Sequence, residues 1–282
     1  SYVGGRFEAF RGPGINEANA AALMVATGVV TTFALFLAGK IWEKIVAIGI
    51  MPITLNAMVA TISRSGFLAL VVAGTIFNLF APKKMIGTVR VFSLAGLLLL
   101  VMITNPVYWE RIGTVLFAGE EVEGVNTGTS RLVIMRAQLK MFSDNPIGCG
   151  HRCTAVLSPS YLEGNYLTSS ADGTRARSSH NSFMSLLVEQ GTLGAVFYFF
   201  LLGWIARTVF RLRSSMRDST GLVPIVYAAT VSILGAMTVG DMFVDYLKFE
   251  ARFWFLGVLM VLLKLETGRQ LEESRQLEHA VK

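Results

Sequence analysis

Seven long apolar runs, joined by polar connections, dominate this chain of 282 residues. A helix needs about twenty apolar residues to cross a bilayer, and fewer where it packs inside a bundle. A chain in lipid must also satisfy its own backbone hydrogen bonds, which favours helices. The pattern predicts seven transmembrane helices, and the second is the least regular because Pro52 and Asn56 interrupt it. They cover residues 20–39, 45–62, 66–82, 91–104, 192–210, 222–240 and 251–265.

Basic residues collect in every second connection between these runs. If the helices cross alternately, four basic segments fall on one side, which the positive-inside rule identifies as cytoplasmic. The other side then receives the N-terminal loop, the turn at Ser63–Ser65, residues 105–191 and the connection at Asp241. The basic residues are Lys40, Lys44, Lys83, Lys84, Arg90, Arg207, Arg211, Arg213, Arg217, Arg269, Arg275 and Lys282.

Composition agrees with a membrane protein. Hydrophobic residues make up 53% of the chain and charged residues only 16%, with a mean hydropathy of +0.55. Soluble domains carry about a quarter charged residues. The net charge of +6 could suggest nucleic acid, but basic cytoplasmic connections explain it. We therefore predict membrane lipids as the surroundings and no nucleic-acid partner.

The runs divide the chain into four predicted parts. Residues 1–104 hold the first four helices after an N-terminal extracytoplasmic loop, and residues 105–191 form an extracytoplasmic loop domain. Residues 192–265 hold the last three helices, and residues 266–282 are a cytoplasmic tail. Because the chain begins with Ser1 and a polar, Gly-rich stretch, we expect further helices upstream.

The loop domain is too long to be a simple connection, since loops beyond about fifteen residues are usually functional or disordered. Its segment PVYWERIGTVLF suits a helix at the headgroup level. Residues 129–142 read as an amphipathic helix with Thr129 or Ser130 as N-cap. The polar stretch 157–179 could order over a ligand as a lid.

Arg64 is the first candidate for chemistry. An arginine that borders a membrane span is costly unless it has a partner, so it is a functional candidate. It also lies near a predicted helix N-terminus, between Ser63 and Ser65, where backbone N–H groups and a guanidinium together would bind an anion. An anchor to lipid headgroups is the alternative.

Arg131 and His180 are the second and third candidates. On the predicted loop helix Arg131 shares a face with Met135, Gln138 and Leu139, while Arg136 and Lys140 lie on another. Arg131 is thus expected to face inward, with a surface arginine as the alternative. His180 precedes the fifth span, and a histidine at a helix N-terminus is expected to stay neutral and act as a base. A loop histidine without a role is the alternative.

Other polar residues allow several interpretations. Cys149 and Cys153 flank His151, but no further metal ligands lie nearby. Outside the reducing cytosol the two cysteines could form a disulfide, or they could be small core residues. The loop carboxylates offer no glycosidase-like pair. Asp241 and Asp245 could orient an acceptor or a histidine, and a solvated loop is the alternative.

Four motifs together resemble the O-antigen ligase and polymerase family. His180-Asn181, nine residues and Gly191-Thr192-Leu193-Gly194 form the first, and Arg64 with Leu68 four positions on forms the second. The third is SRLVIMRAQLKMFSDNPIGCG, in which an arginine opens a helix that ends in a Pro-Gly-Gly turn. The fourth is the Arg-Gly loop FRGPGINEAN with Arg11, Asn16 and Asn19. The bracketing of His151 by two cysteines departs from the family pattern.

The resemblance implies an all-α polytopic membrane protein of GT-C-like polytransferase type, with a helical extracytoplasmic loop domain. It implies a metal-independent, inverting glycosyltransferase without a cofactor, in the bacterial inner membrane with its active site facing the periplasm. The donor would be a glycan on undecaprenyl pyrophosphate and the acceptor a hydroxyl, most often of lipid A-core. His180 would be the base and Arg64 and Arg131 would hold the pyrophosphate. Arg11, Asn181 and Arg136 are further candidates for substrate binding.

Other functions stay open from the sequence. An O-antigen polymerase or a protein O-oligosaccharyltransferase would share these motifs, because no readable code specifies the acceptor. A transporter or flippase would need helices broken near the bilayer midplane, and Pro52 and Asn56 are the only hint of that. Walker, Rossmann and HExxH motifs are missing from the sequence, so ATP-driven transport and zinc hydrolysis have no support. A non-catalytic scaffold is the remaining alternative.

Overall fold

The computed structural model describes residues 2–3, 6–7, 18–104, 128–169, 175–245 and 249–281. The predicted headgroup-level helix, Arg11 and Asn16 lie outside these residues, as does part of the predicted lid. The helices are α1 (Ala18–Ala38), α2 (Ile41–Ala60), α3 (Arg64–Phe80), α4 (Ile86–Ile103), α5 (Gly128–Asp144), α6 (Cys153–Tyr161), α7 (Ser182–Asp218), α8 (Leu222–Gly240) and α9 (Glu250–Val281).

Short strands and two compact units complete the description. Strands β1 (Tyr2–Val3) and β2 (Arg6–Phe7) pair antiparallel, as do β3 (Thr168–Ser169) and β4 (Arg175–Ala176). The first unit comprises Ser1–Thr104, Trp204–Thr238 and Phe249–Lys282. The second comprises Asn105–Gly203 and Val239–Lys248.

Five of the described helices are long and apolar enough to cross a membrane: Asn19–Ala38, Ile41–Ala60, Lys83–Ile103, Ser182–Asp218 and Leu222–Gly240. They match five of the predicted spans to within two residues at their C-terminal ends, except that the helix containing the fifth predicted span begins earlier and ends later than predicted, so the chain is an all-α, multi-pass membrane protein. The third predicted span lies in α3, a shorter apolar helix of 17 residues. The seventh lies in α9, which extends over 32 residues into the charged tail. Seven crossings thus stay a prediction. The helix α2 continues through Pro52, which weakens the hint of a transporter-like break.

Small side chains hold α1 against α2 and α3 in the first unit. Ala22 and Ala26 are buried against Met58, and a Cβ on Gly66 would overlap the Cβ of Ala22. Because membrane helices gain little from hydrophobic association, small residues that permit close backbone approach are what their interfaces favour. This close packing positions the start of α3, where Arg64 lies.

Three of the predicted cytoplasmic segments meet in the first unit. Lys83 Nζ lies 2.6 Å from Asp218 Oδ1, and the guanidinium carbon of Arg213 lies 4.9 Å from the ring centroid of Phe80. Arg269 donates a hydrogen bond of 2.7 Å to Ser215 Oγ. The Lys83 pair is solvent-exposed and adds little stability. These contacts agree with the prediction that the three segments lie on one side of the membrane.

The second unit is built on α5 and α6. Ile134 and Ala137 pack against Leu162, and Met141 packs against Cys153 and Val188. The predicted loop helix is confirmed, but α5 begins at Gly128. Thr129 and Ser130 therefore lie in its first turn, and the N-cap prediction is wrong.

The helix α7 differs most from the prediction. It begins at Ser182, ten residues before the predicted fifth span, and its backbone is broken at Gly191, where φ is 66°. Residues 182–190 form a separate helical piece, in which Glu189 and Gln190 interrupt the apolar pattern before the predicted span. They belong to the second unit, which continues past the break to Gly203, and the predicted domain limit at residue 191 stays a prediction.

Candidate functional site

Arg64 is the first residue of α3. Ser63 caps this helix, since its Oγ accepts a hydrogen bond of 3.2 Å from Gly66 N. The same hydroxyl donates to Asn19 Oδ1 at 2.8 Å, which ties the cap to α1. The predicted helix N-terminus beside Arg64 is thus confirmed. The Arg64 side chain is half-buried, and the capped helix start fixes the position of its backbone.

Arg131 lies on the inner side of α5. Its side chain is half-buried, and Gln138, two turns on, is 1% exposed, while Arg136 and Lys140 are exposed. The predicted separation of the basic residues is confirmed. The prediction for Leu139 is wrong, because this side chain is 47% exposed. The buried arc extends from Arg131 towards Ile134 and Met141, whereas Leu139 lies about 80° to the other side.

The His180–Asn181 turn is joined to residues 241–245, which we call the α8 exit segment. Asn181 Oδ1 accepts a hydrogen bond of 3.0 Å from Met184 N, so it caps α7, and its Nδ2 donates to Met242 O at 3.4 Å. Ser182 donates through its backbone N to Asp241 O (2.7 Å) and through Oγ to Val244 O (2.8 Å). His180, with φ of 49°, is half-buried directly before this cap.

Asp241 is fully buried, which contradicts the solvated-loop interpretation for this residue. Its Oδ2 accepts a hydrogen bond of 2.6 Å from Tyr198 OH. A buried carboxylate is stable only with such partners. Asp245 is exposed but accepts a 3.0 Å hydrogen bond from Ser185 Oγ. The sequence suggested a role for both carboxylates, but a connection of this composition does not reveal which one is buried.

Arg131 also contacts the α8 exit segment. Its guanidinium carbon lies 5.6 Å from the ring centroid of Phe243, within the range of a cation–π interaction. In the second unit, Arg131 and the His180–Asn181 turn are therefore supported by the same five residues. Arg136 is exposed on another side of α5, and Arg64 belongs to the first unit. The sequence motifs did not identify Phe243, because a lone aromatic residue beside a membrane span reads as an interfacial anchor.

Two of the family-like motifs form one structural joint at the break in α7. Thr192 N donates to Pro146 O at 2.9 Å, while Cys149 N and Gly150 N donate to the carbonyls of Val188 (3.1 Å) and Glu189 (2.9 Å). These bonds replace helix bonds that the break removes. A Cβ on Gly191 would overlap the Ile147 carbonyl, and one on Gly148 would lie 2.6 Å from Gly191 N. Gly148 and Gly191, one from each motif, are thus needed for the close backbone approach.

Cys149 and Cys153 are joined by a disulfide, with Cα atoms 5.8 Å apart. His151 Nδ1 lies 3.8 Å from Glu189 Oε2, close to the joint. In the described part of the chain no group of three or more His, Cys, Asp or Glu side chains is arranged to hold a metal ion. Of the alternatives for the two cysteines, the disulfide is the one that the structure contains.

Comparison with protein families gives a match over more than half of the chain. The family model described as O-antigen ligase matches residues 49–199. The chain belongs to the O-antigen ligase family. The matched region contains Arg64, Arg131, His180 and both halves of the joint, whereas the α8 exit segment lies beyond it. Comparisons with curated proteins and with solved structures gave no match.

Proposed function

We propose that this O-antigen ligase family member transfers a glycan from undecaprenyl pyrophosphate to an acceptor hydroxyl, with lipid A-core as the acceptor. The observation that carries the proposal is the common support of Arg131 and the His180–Asn181 turn by the α8 exit segment. A cation for a phosphate and a base for a hydroxyl are the two groups that this reaction needs.

In the proposed reaction the acceptor oxygen attacks the anomeric carbon while the bond to the pyrophosphate oxygen breaks. His180 takes the proton from the attacking hydroxyl as general base. Arg64 and Arg131 stabilise the negative charge that develops on the leaving pyrophosphate. Attack opposite the leaving group inverts the anomeric centre in a single displacement. The donor arrives already activated, so no nucleotide and no metal-bound water is required for attack.

Arg11, Asn181 and Arg136 have unequal support as further substrate-binding residues. Asn181 uses its side chain to cap α7 and to bind Met242 O, which favours a role in positioning His180. Arg136 is exposed on α5, where it would be available to the glycan of the donor or to lipid headgroups. Arg11 stays a candidate on the resemblance of its motif.

Two observations support a periplasmic site in the bacterial inner membrane. A disulfide in the second unit suits an oxidising compartment rather than the cytosol. The basic segments that meet in the first unit suit the cytoplasmic side. The undecaprenyl chain would stay in lipid while its pyrophosphate reached the outer interface.

The decisive experiment is deletion of the gene followed by analysis of surface and lipid-linked glycans. If the protein is a ligase, its deletion leaves full-length polymer on the undecaprenyl carrier and leaves lipid A-core without polymer. If it is instead a polymerase of the same family, its deletion leaves single repeat units on lipid A-core. Unchanged lipopolysaccharide with loss of glycan from secreted or membrane proteins would indicate a protein O-oligosaccharyltransferase, and no change in any glycan would contradict glycan transfer.

A further inference from the structure

The disulfide closes a ring of five residues with unusual backbone conformations. Gly150 has φ of +94° and Arg152 has φ of 63°, directly before Cys153 begins α6. A left-handed conformation is unfavourable for a residue with a side chain and persists where the surroundings determine it. The covalent ring is such a constraint for Arg152.

The same ring provides hydrogen-bond donors to the backbone carbonyls at the break in α7. Cys149 N and Gly150 N bind the Val188 and Glu189 carbonyls, at 3.1 and 2.9 Å. Cys153 is buried against Val188, whose side chain is fully buried. The disulfide therefore fixes both the backbone donors and the side chain on which the end of the 182–190 piece rests.

The 182–190 piece has His180 next to its other end. It contains nine residues, which is about 13 Å of helix. The α8 exit segment holds it at the Asn181 cap, and the ring holds it at Val188 and Glu189. A helix this short is marginal in isolation, so its position depends on both attachments.

We propose that oxidation of Cys149 and Cys153 is a maturation step that sets the position of His180, so that glycan transfer requires the disulfide. The oxidant is an extracytoplasmic thiol–disulfide oxidoreductase, which makes such a protein a partner of this chain. The inference rests on the proposed function for its effect on transfer.

The oxidation balances as an exchange between two proteins. One cysteine thiolate attacks the disulfide of the oxidoreductase, and a mixed disulfide forms as one oxidoreductase thiolate leaves. The second cysteine thiolate then attacks the mixed disulfide, which closes Cys149–Cys153. The two electrons and the two thiol protons finish on the oxidoreductase, which departs as a dithiol.

The thiol state in cells is the first test. Cells are quenched with acid and their proteins alkylated with a maleimide-polymer reagent that shifts mobility once per free thiol. We expect no shift for the wild-type protein, and two shifts in cells that lack their extracytoplasmic dithiol oxidase. Two free thiols in normal cells, or a full disulfide without the oxidase, would overturn the proposal.

Hydrogen exchange and turnover on the purified full chain test the consequence. Reduction should raise amide exchange in residues 182–190 by roughly tenfold or more, because the joint opens once the ring is cut. With an undecaprenyl-pyrophosphate-linked donor and lipid A-core, kcat should fall by a similar factor and KM for the donor should change less. Oxidised glutathione should restore both. The control is the Cys149→Ser/Cys153→Ser variant, which should behave like reduced wild type and not respond to reductant.

The outcomes separate the two proposals. If transfer is absent in both redox states while exchange in 182–190 responds to reduction, the proposed function fails and the disulfide joint stands. If reduction changes neither exchange nor kcat, the inference is wrong even though transfer occurs. A purely structural disulfide would lower the amount of folded protein without the reversible effect on kcat.

Discussion

The N-termini of α3 and α7 are both capped by a side chain, but the two caps are held in place by different contacts. Each is capped by a side chain that accepts a backbone N–H, Ser63 in one and Asn181 in the other, and each has a candidate functional residue beside the cap. Ser63 is fixed by Asn19 between closely packed helices. Asn181 depends on the α8 exit segment, some sixty residues later in the chain. One position is thus set by helix packing and the other by loop contacts.

His180→Ala should have the largest effect at the loop-supported end. Loss of a general base lowers turnover by about 10²- to 10⁴-fold, so glycan transfer in cells should be abolished while protein abundance stays normal. The measurement is lipopolysaccharide laddering together with immunoblotting of membranes. His279→Ala in the exposed end of α9 is the matched control and should transfer normally. A normal lipopolysaccharide ladder in the His180 variant would contradict the catalytic role of His180.

Gly191→Ala should break the joint that supports that end. The new Cβ would overlap the Ile147 carbonyl, and φ of 66° is unfavourable for alanine. We expect destabilisation of about 2 kcal/mol or more, seen as lower abundance and a lower melting temperature in detergent. The control is Gly203→Ala in the same helix, where a Cβ meets nothing within 4 Å. It should be neutral or stabilising by up to about 1 kcal/mol. Equal melting temperatures for both variants would contradict the joint.

Hydropathy and capping patterns predicted much of the α3 end and little of the α7 end. The apolar runs located the long membrane helices and placed a helix N-terminus within two residues of Arg64, whereas the Ser63 cap itself came from the structure. Burial of Asp241 and the contact of Arg131 with Phe243 join residues far apart in sequence. Glu189, Gln190 and Gly191 also separate the start of α7 from the long apolar run, so hydropathy placed the helix start ten residues late. Local patterns do not encode such pairings.

The Arg64→Lys variant tests whether the side chain at the N-terminus of α3 binds a phosphate. Lysine keeps the charge but lacks the planar fork for bidentate contact. We expect transfer to fall by roughly tenfold, through a higher KM for the lipid-linked donor. Arg217→Lys, at an exposed position among the predicted cytoplasmic residues, is the comparison and should change KM by less than about twofold. An unchanged donor KM in the Arg64 variant would favour the headgroup-anchor interpretation.

Ser63→Ala and Asn181→Ala compare the two caps directly. Each loses a cap worth about 0.5–2 kcal/mol, and each loses a second hydrogen bond, to Asn19 or to Met242. Because Asn181 adjoins the proposed base, kcat should fall in the Asn181 variant. The Ser63 variant, destabilised to a similar extent, should stay active. Melting temperature and kcat measured on both variants test this. The comparison fails if kcat follows melting temperature equally in the two.

Tyr161→Phe should have the smallest effect, within the second unit. Tyr161 OH donates to Asp144 Oδ2 at 2.8 Å, and this hydrogen bond, with lesser contributions from desolvation and the Asp144 charge, raises the pKa of Tyr161 above its ordinary value of 10.0. A raised pKa in the folded state means that the contact stabilises below pH 10 and is lost as pH rises through the folded value. The melting temperatures of wild type and variant should therefore differ slightly at neutral pH and converge in strongly alkaline buffer. A difference that widened with alkaline pH would have the wrong sign for a donor hydroxyl, and the contact would then lie elsewhere than at Asp144.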